Sequence, residues 1–83
     1  MPKNLSKEDV KLLTDFGRRL RRLRKECDLT QDELEHKAKV HDNMIGRLER
    51  GERIPNFLQL IKISNALEIE ISEFFSDPPE ESE

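Results

Sequence analysis

The sequence predicts an all-α domain of about five helices, and three observations carry that expectation. Leu13, Phe16, Leu20, Leu23 and Cys27 recur at intervals of 3, 4, 3 and 4 residues, which places them on one helical face. Helix-start chemistry recurs along the chain, at Ser6 with Asp9, at Thr30 with Glu33, and at Asn56 behind Pro55. No segment alternates for long enough to make a strand, since Ile69-Glu70-Ile71 is too short.

Residues 1–6 read as a frayed start, and the first helix follows to about Glu26, with Arg18, Arg22 and Lys25 opposite its apolar face. Asp28 tolerates the left-handed backbone that a helix exit often needs. The second helix is expected over Gln31 to Lys39, begun by Thr30 and Glu33, with Leu34 and Ala38 inward. A helix so short needs tertiary packing to form. After a short connection, Asp42 opens a third helix that runs to about Arg50, with Ile45 and Leu48 inward and Gly51 as its exit. Asn56 caps a fourth helix, Phe57 to about Leu67, with Ile54, Phe57, Leu60, Ile61, Ile63 and Leu67 available for burial. Ser72 caps a short fifth helix, Glu73 to Ser76, and the Pro-rich acidic end, 77–83, reads as disordered.

The chain has 83 residues, enough for one small domain, 7–76, that buries about 60% of its unfolded surface. With four Phe and no Trp or Tyr, its core is aliphatic. The net charge of −3 argues against a polyanionic partner, yet the charge is unevenly spread. With Asp77, Glu80, Glu81 and Glu83 set aside, 14 acidic residues face 15 basic ones. Arg18, Arg19, Arg21, Arg22, Arg24 and Lys25 form one basic cluster; Arg47, Arg50 and Arg53 form another. Local field is what steers a polyanion. The single cysteine, Cys27, forms no internal disulfide, suits a reducing cytoplasm and is expected to pack as a small core residue. No apolar run approaches the roughly 20 residues of a membrane span, and no secretory leader opens the chain. His36 and His41 stand five apart without a third ligand, so no metal is expected. No Gly-rich phosphate loop, zincin motif or nucleophile triad is present, and neither enzyme activity, cofactor nor small-molecule ligand is expected.

Two short helices joined by a tight turn, apolar only where they meet, describe a helix-turn-helix at about 31–50. On the second helix of the pair the expected outward residues are Asp42, Asn43, Gly46, Arg47 and Arg50. Asn pairs bidentately with adenine, Arg with guanine, and Asp accepts from the cytosine amino group.

Three segments, Leu29-Thr30-Gln31-Asp32-Glu33-Leu34, Ile45 through Pro55, and Leu60 through Leu67, resemble the XRE family, the lambda-type phage repressor and Cro-like helix-turn-helix group. The likeness covers about residues 16–75, and the segment Leu48-Glu49-Arg50-Gly51-Glu52-Arg53-Ile54-Pro55 is particularly similar to restriction–modification controllers. The resemblance implies a five-helix lambda-repressor-like domain whose third helix reads double-stranded DNA. It places Asp42, Asn43 and Arg47 near base edges and Gln31, Arg50 and Arg53 on the backbone, and it pairs Arg24 with Glu49 as a structural salt bridge. Such a protein is expected to act as a homodimer on half-sites about 34 Å apart. The chain departs from the family at Glu35, where a small Ala is usual, and at Lys39, Asp28 and Glu68, where Gly is usual. Glu35 and Lys39 are expected to pair and to widen or tilt the motif slightly. Two other readings share the fold: an antitoxin that binds a toxin, and a protein-interaction adaptor that has lost DNA binding.

Overall fold

The computed structural model describes residues 4–78. Among them are four α-helices, α1 (Lys7–Glu26), α2 (Gln31–Ala38), α3 (Met44–Glu49) and α4 (Phe57–Leu67), then a 3-10 turn at Ile71–Phe74, and no strand. The expected fifth helix is thus a 3-10 turn that begins two residues early. Glu70 precedes it with no side-chain cap, so Ser72 falls inside it.

Local chemistry explains three of the four starts. The Ser6 hydroxyl accepts from the Asp9 amide at 3.0 Å, so the helix claims the last residue of the expected frayed start. Thr30 and Glu33 form a reciprocal capping box at 3.0 and 2.8 Å, and Asn56 and Gln59 form another at 2.8 and 3.0 Å.

All four helices end in the same way. Asp28, Lys39, Gly51 and Glu68 take left-handed backbones, at φ 58°, 60°, 74° and 58°. The amide of the next residue then bonds back five residues, as Leu29 to Arg24, Val40 to Glu35, Glu52 to Arg47 and Ile69 to Ser64. This is the Schellman closure, which a glycine usually serves. Here three of the four positions carry side chains and bear the cost of that backbone, about 1–2 kcal/mol each.

The core lies where α3 packs on α1 and α2, α2 packs on α4, and the 3-10 turn closes against α1 and α4. Leu20, Leu34, Ile45, Leu48, Ile63 and Phe74 are fully enclosed, each contributing about 1.5–3 kcal/mol by leaving water. Phe16 meets Phe74 edge-on, ring centroids 5.3 Å apart. Its neighbour Phe75 is 59% exposed, so one of the two end phenylalanines fills the core and the other does not. Three expected core residues lie at the surface. Ile54 and Phe57 are 55% and 70% exposed because Phe57 starts α4 on its outer side and Ile54 stands on the loop before it. Cys27 is exposed because α1 ends at Glu26, one residue before the apolar spacing would have used it.

Gly17 sets the approach of α1 to α3. A Cβ there would stand 2.5 Å from the carbonyl oxygens of both Leu48 and Glu49, closer than real atoms come. The bare backbone therefore seats α3 directly against α1.

Of the acidic tail expected from Asp77 onward, residues 79–83 lie outside the described residues, as do residues 1–3 of the start. Asp77 itself is held: Arg18 and Arg19 reach its carboxylate at 3.1 and 3.0 Å, and Arg22 stands 3.8 Å away. The Arg19 and Arg18 hydrogen bonds bring the Asp77 pKa down to about 2.

Candidate nucleic-acid interface

The helix pair α2–α3 forms the expected motif, with Leu34 and Ala38 of α2 sharing the core with Ile45 and Leu48 of α3. Glu35 takes the place of a small residue between them and is accommodated half-buried. Its Oε2 is enclosed without a hydrogen-bond partner. It forms no ion pair with Lys39 among the described residues, because Lys39 has left the helical backbone.

The third helix is shorter than the sequence suggests. Asp42 and Asn43 are exposed but precede it, both left-handed at φ 63° and 56°. Both are residue types that begin helices well, yet here they shape the turn: His41 accepts from the Met44 amide and Asn43 from the Arg47 amide through their carbonyls. The Asn43 side chain makes no capping hydrogen bond. Arg50 likewise lies just past the helix, as its C-cap.

Arg47 is half-exposed on α3, and its side chain makes no hydrogen bond or ion pair with the described residues. Gly46, expected outward, is instead buried, covered by the side-chain ends of Gln31 and Arg50. Gln31, the first residue of α2, donates from Nε2 to Glu49 Oε1 at 3.0 Å. Arg50 donates to Glu52 from Nε and Nη2, at 2.9 and 3.3 Å. The Glu52 hydrogen bond raises the Arg50 pKa, and the reciprocal bond lowers that of Glu52. Arg53 is half-buried in the loop before α4.

Beneath these groups Arg24 of α1 meets Glu49 of α3 through two nitrogens, at 2.6 and 3.1 Å, and gives a third bond to the Leu29 carbonyl at 2.8 Å. Glu49 therefore ties three elements together: α1 through Arg24, α3 by its own backbone, and the start of α2 through Gln31.

The structure brings together residues that sequence reasoning did not join. Arg53 shares a surface depression with Lys39, Lys62, His41 and Asp42, so three cations surround the entrance of α3. Exposed cations on a helix and a turn carry no functional mark in sequence, and only the fold gathers them. Conversely, the α1 cluster is less available than its composition suggests, since Arg18, Arg19 and Arg22 converge on Asp77.

A helix pair held rigidly from behind, with Asp42, Asn43 and Arg47 outward and cations alongside, defines a DNA-binding transcriptional regulator of the helix-turn-helix class. The helix-turn-helix family model HTH_3 matches residues 20–74, and the chain belongs to that family. It is 37% identical over 70 residues to the control protein C.MunI of Mycoplasma sp., covering 83% of this chain and 92% of that protein. Among solved structures it is similar to the restriction-modification controller protein C.AhdI from Aeromonas hydrophila, with a TM-score of 0.74 and 36% identity over 76% of this chain and 96% of that one. It is also similar to an HTH_3 family transcriptional regulator from Vibrio cholerae, with a TM-score of 0.76 and 36% identity, covering 81% of this chain and 38% of that chain.

Proposed function

We propose that this chain is a sequence-specific regulator that binds double-stranded DNA as a homodimer in the cytoplasm, with no catalytic activity of its own. It lays α3 in the major groove. The observation that carries this reading is the contrast at α3: Met44, Ile45 and Leu48 are consumed by the core, while the side chains of Arg47, Asn43 and Asp42 make no hydrogen bond or ion pair among the described residues. Polar groups that can read base edges stand on the outside of a fixed frame. Arg47 and Asn43 read bases, with Asp42 beside them. Gln31, Arg50 and Arg53 take the phosphates, supported by Lys39 and Lys62.

Dimerisation is favoured by size and by surface. A domain this small is weakly stabilised alone, and Phe57, Leu58 and Phe75 are 70%, 59% and 59% exposed. The similarity to two proteins named as restriction–modification controllers favours the same task here.

Selection of bound duplexes from a random pool tests the proposal. The expected product is a two-fold symmetric site with half-sites about one helical turn apart, bound less tightly as salt rises. Arg47→Ala flattens the preference between sites, while Arg53→Ala weakens all sites alike. A pool that yields no enriched duplex even at low salt overturns the reading.

A further inference from the structure

Three arginines of α1 converge on the carboxylate of Asp77. Arg18 holds its two oxygens through Nη1 and Nη2, at 3.1 and 3.3 Å, and Arg19 holds the same two through Nε and Nη2, at 3.0 and 3.5 Å. Arg22 stands third, with Nη1 3.8 Å away. The other acids nearby are weaker companions: Asp15 is 3.7 Å from Arg18 and already bonded to Lys11, and Glu26 is 3.6 Å from Arg22. A guanidinium fork that fits a carboxylate also fits a phosphate. The seat faces away from α3, however. Gly17 and Arg24 mark the side of α1 that meets α3. At about 100° per residue, Arg18 stands about 100–120° round the helix from both, and Arg22 about 140–160°. A duplex held at this seat lies out of reach of Arg47.

We propose that Asp77 is a specificity-determining residue that acts without touching the cognate site: it fills a three-arginine seat that would otherwise hold DNA phosphates where no base can be read. This rests on the DNA-binding reading above. Specificity is the difference between affinity for one duplex and affinity for all others, and the sequence-blind part is set by phosphates. Arg18, Arg19, Arg21, Arg22, Arg24 and Lys25 lie within eight residues, a density that draws any polyanion. Arg24 is committed to Glu49, and Asp77 takes Arg18, Arg19 and Arg22 out of play. Asp77 belongs to the same chain, so a phosphate from outside competes with a group at high effective concentration. The Arg19 and Arg18 bonds hold its pKa at about 2, and it is charged at neutral pH. The arginines of α3 and the loop after it face no such competitor from α1, and the one surface left open to phosphates is the surface that also reads bases.

Asp77→Asn keeps the shape and removes the charge. Affinity for a random-sequence duplex, and for heparin, rises about fivefold at 0.1 M salt, and the log–log salt slope on the random duplex steepens by about one, the mark of one more phosphate neutralised. Affinity for the duplex recovered by selection rises less than about twofold, so the preference narrows. Glu73→Gln is the control. It removes one exposed negative charge from the neighbouring 3-10 turn, where no cation pairs with it among the described residues, and both affinities stay within about 1.5-fold. In an Arg18→Gln, Arg22→Gln background Asp77→Asn loses its effect. Unchanged heparin and random-duplex affinity in Asp77→Asn overturns the proposal, as does an equal gain on the selected duplex, an equal rise in Glu73→Gln, or an undiminished rise in the stripped background. If Asp77→Asn loses its helical signal, Arg18→Gln decides: a masked arginine is removed with less than about twofold loss on the random duplex, and a larger loss overturns the mask. A wild-type chain that binds no duplex removes the regulator reading and the specificity role together, whereas a wild-type chain with a selected site and an Asp77→Asn variant that behaves like it removes only the role of Asp77.

Discussion

The Arg24 guanidinium meets the Glu49 carboxylate through two nitrogens, at 2.6 and 3.1 Å, with the side chains only 9% and 4% exposed. A pair this enclosed adds little net stability when whole, since both ions have given up water, but losing one partner strands the other. Glu49→Ala should cost about 3–5 kcal/mol, measured as a shift in the urea midpoint at constant slope. Domains of this kind have about 5–15 kcal/mol in all, so the variant should be partly unfolded near body temperature.

Gly17 predicts a different failure. A methyl group there would press on the Leu48 and Glu49 carbonyl oxygens, which belong to backbone and cannot turn aside. Gly17→Ala should therefore destabilise by about 1–3 kcal/mol through overpacking, although alanine favours a helix. Chemical denaturation gives the sign directly, and a more stable variant would contradict the observed approach of α1 to α3.

Lys39 and Glu68 hold left-handed backbones that glycine would adopt freely. Lys39→Gly relieves about 1–2 kcal/mol of steric cost and gives back about 0.4–1 kcal/mol in the freedom of the unfolded chain. The net expectation is a gain of up to about 1.5 kcal/mol, read as a higher urea midpoint.

Asp77 links stability to pH. Its pKa falls from 3.8 to about 2 on folding, owing first to the Arg19 hydrogen bond and then to the Arg18 one. A carboxyl with a depressed folded pKa stabilises fully above its unfolded pKa, and that contribution is lost as pH falls through the folded value. The thermal midpoint of Asp77→Asn should therefore lie slightly below wild type at neutral pH, with the gap closing between about pH 4 and pH 2. High salt should narrow it too, because the cluster is exposed to solvent.

How far each feature was legible follows from how local its cause is. The boxes at Thr30 and Asn56 are chemistry within three residues, and they read directly. Asp28, Lys39 and Glu68 stood out as departures from glycine, and each occupies the left-handed exit that glycine usually fills. The start of α3 was misplaced because Asp42 and Asn43 have the side chains of helix caps, while the fold uses their tolerance of left-handed backbone instead. The cover over Gly46 was invisible because its atoms belong to Gln31 and Arg50, on other turns. Arg24 and Glu49 are 25 residues apart and Asp77 is 58 and 59 from its arginines, so no periodicity announces either contact. The first entered only through family resemblance, and the second not at all.

The helix that carries Arg47 has six residues and no side chain closing its start, whereas its neighbours are capped. It cannot persist as a fragment; its shape is lent to it by α1 and the enclosed aliphatic residues behind. Because its form is borrowed, loss of the scaffold and loss of the presentation of Arg47 should come together, in one cooperative transition.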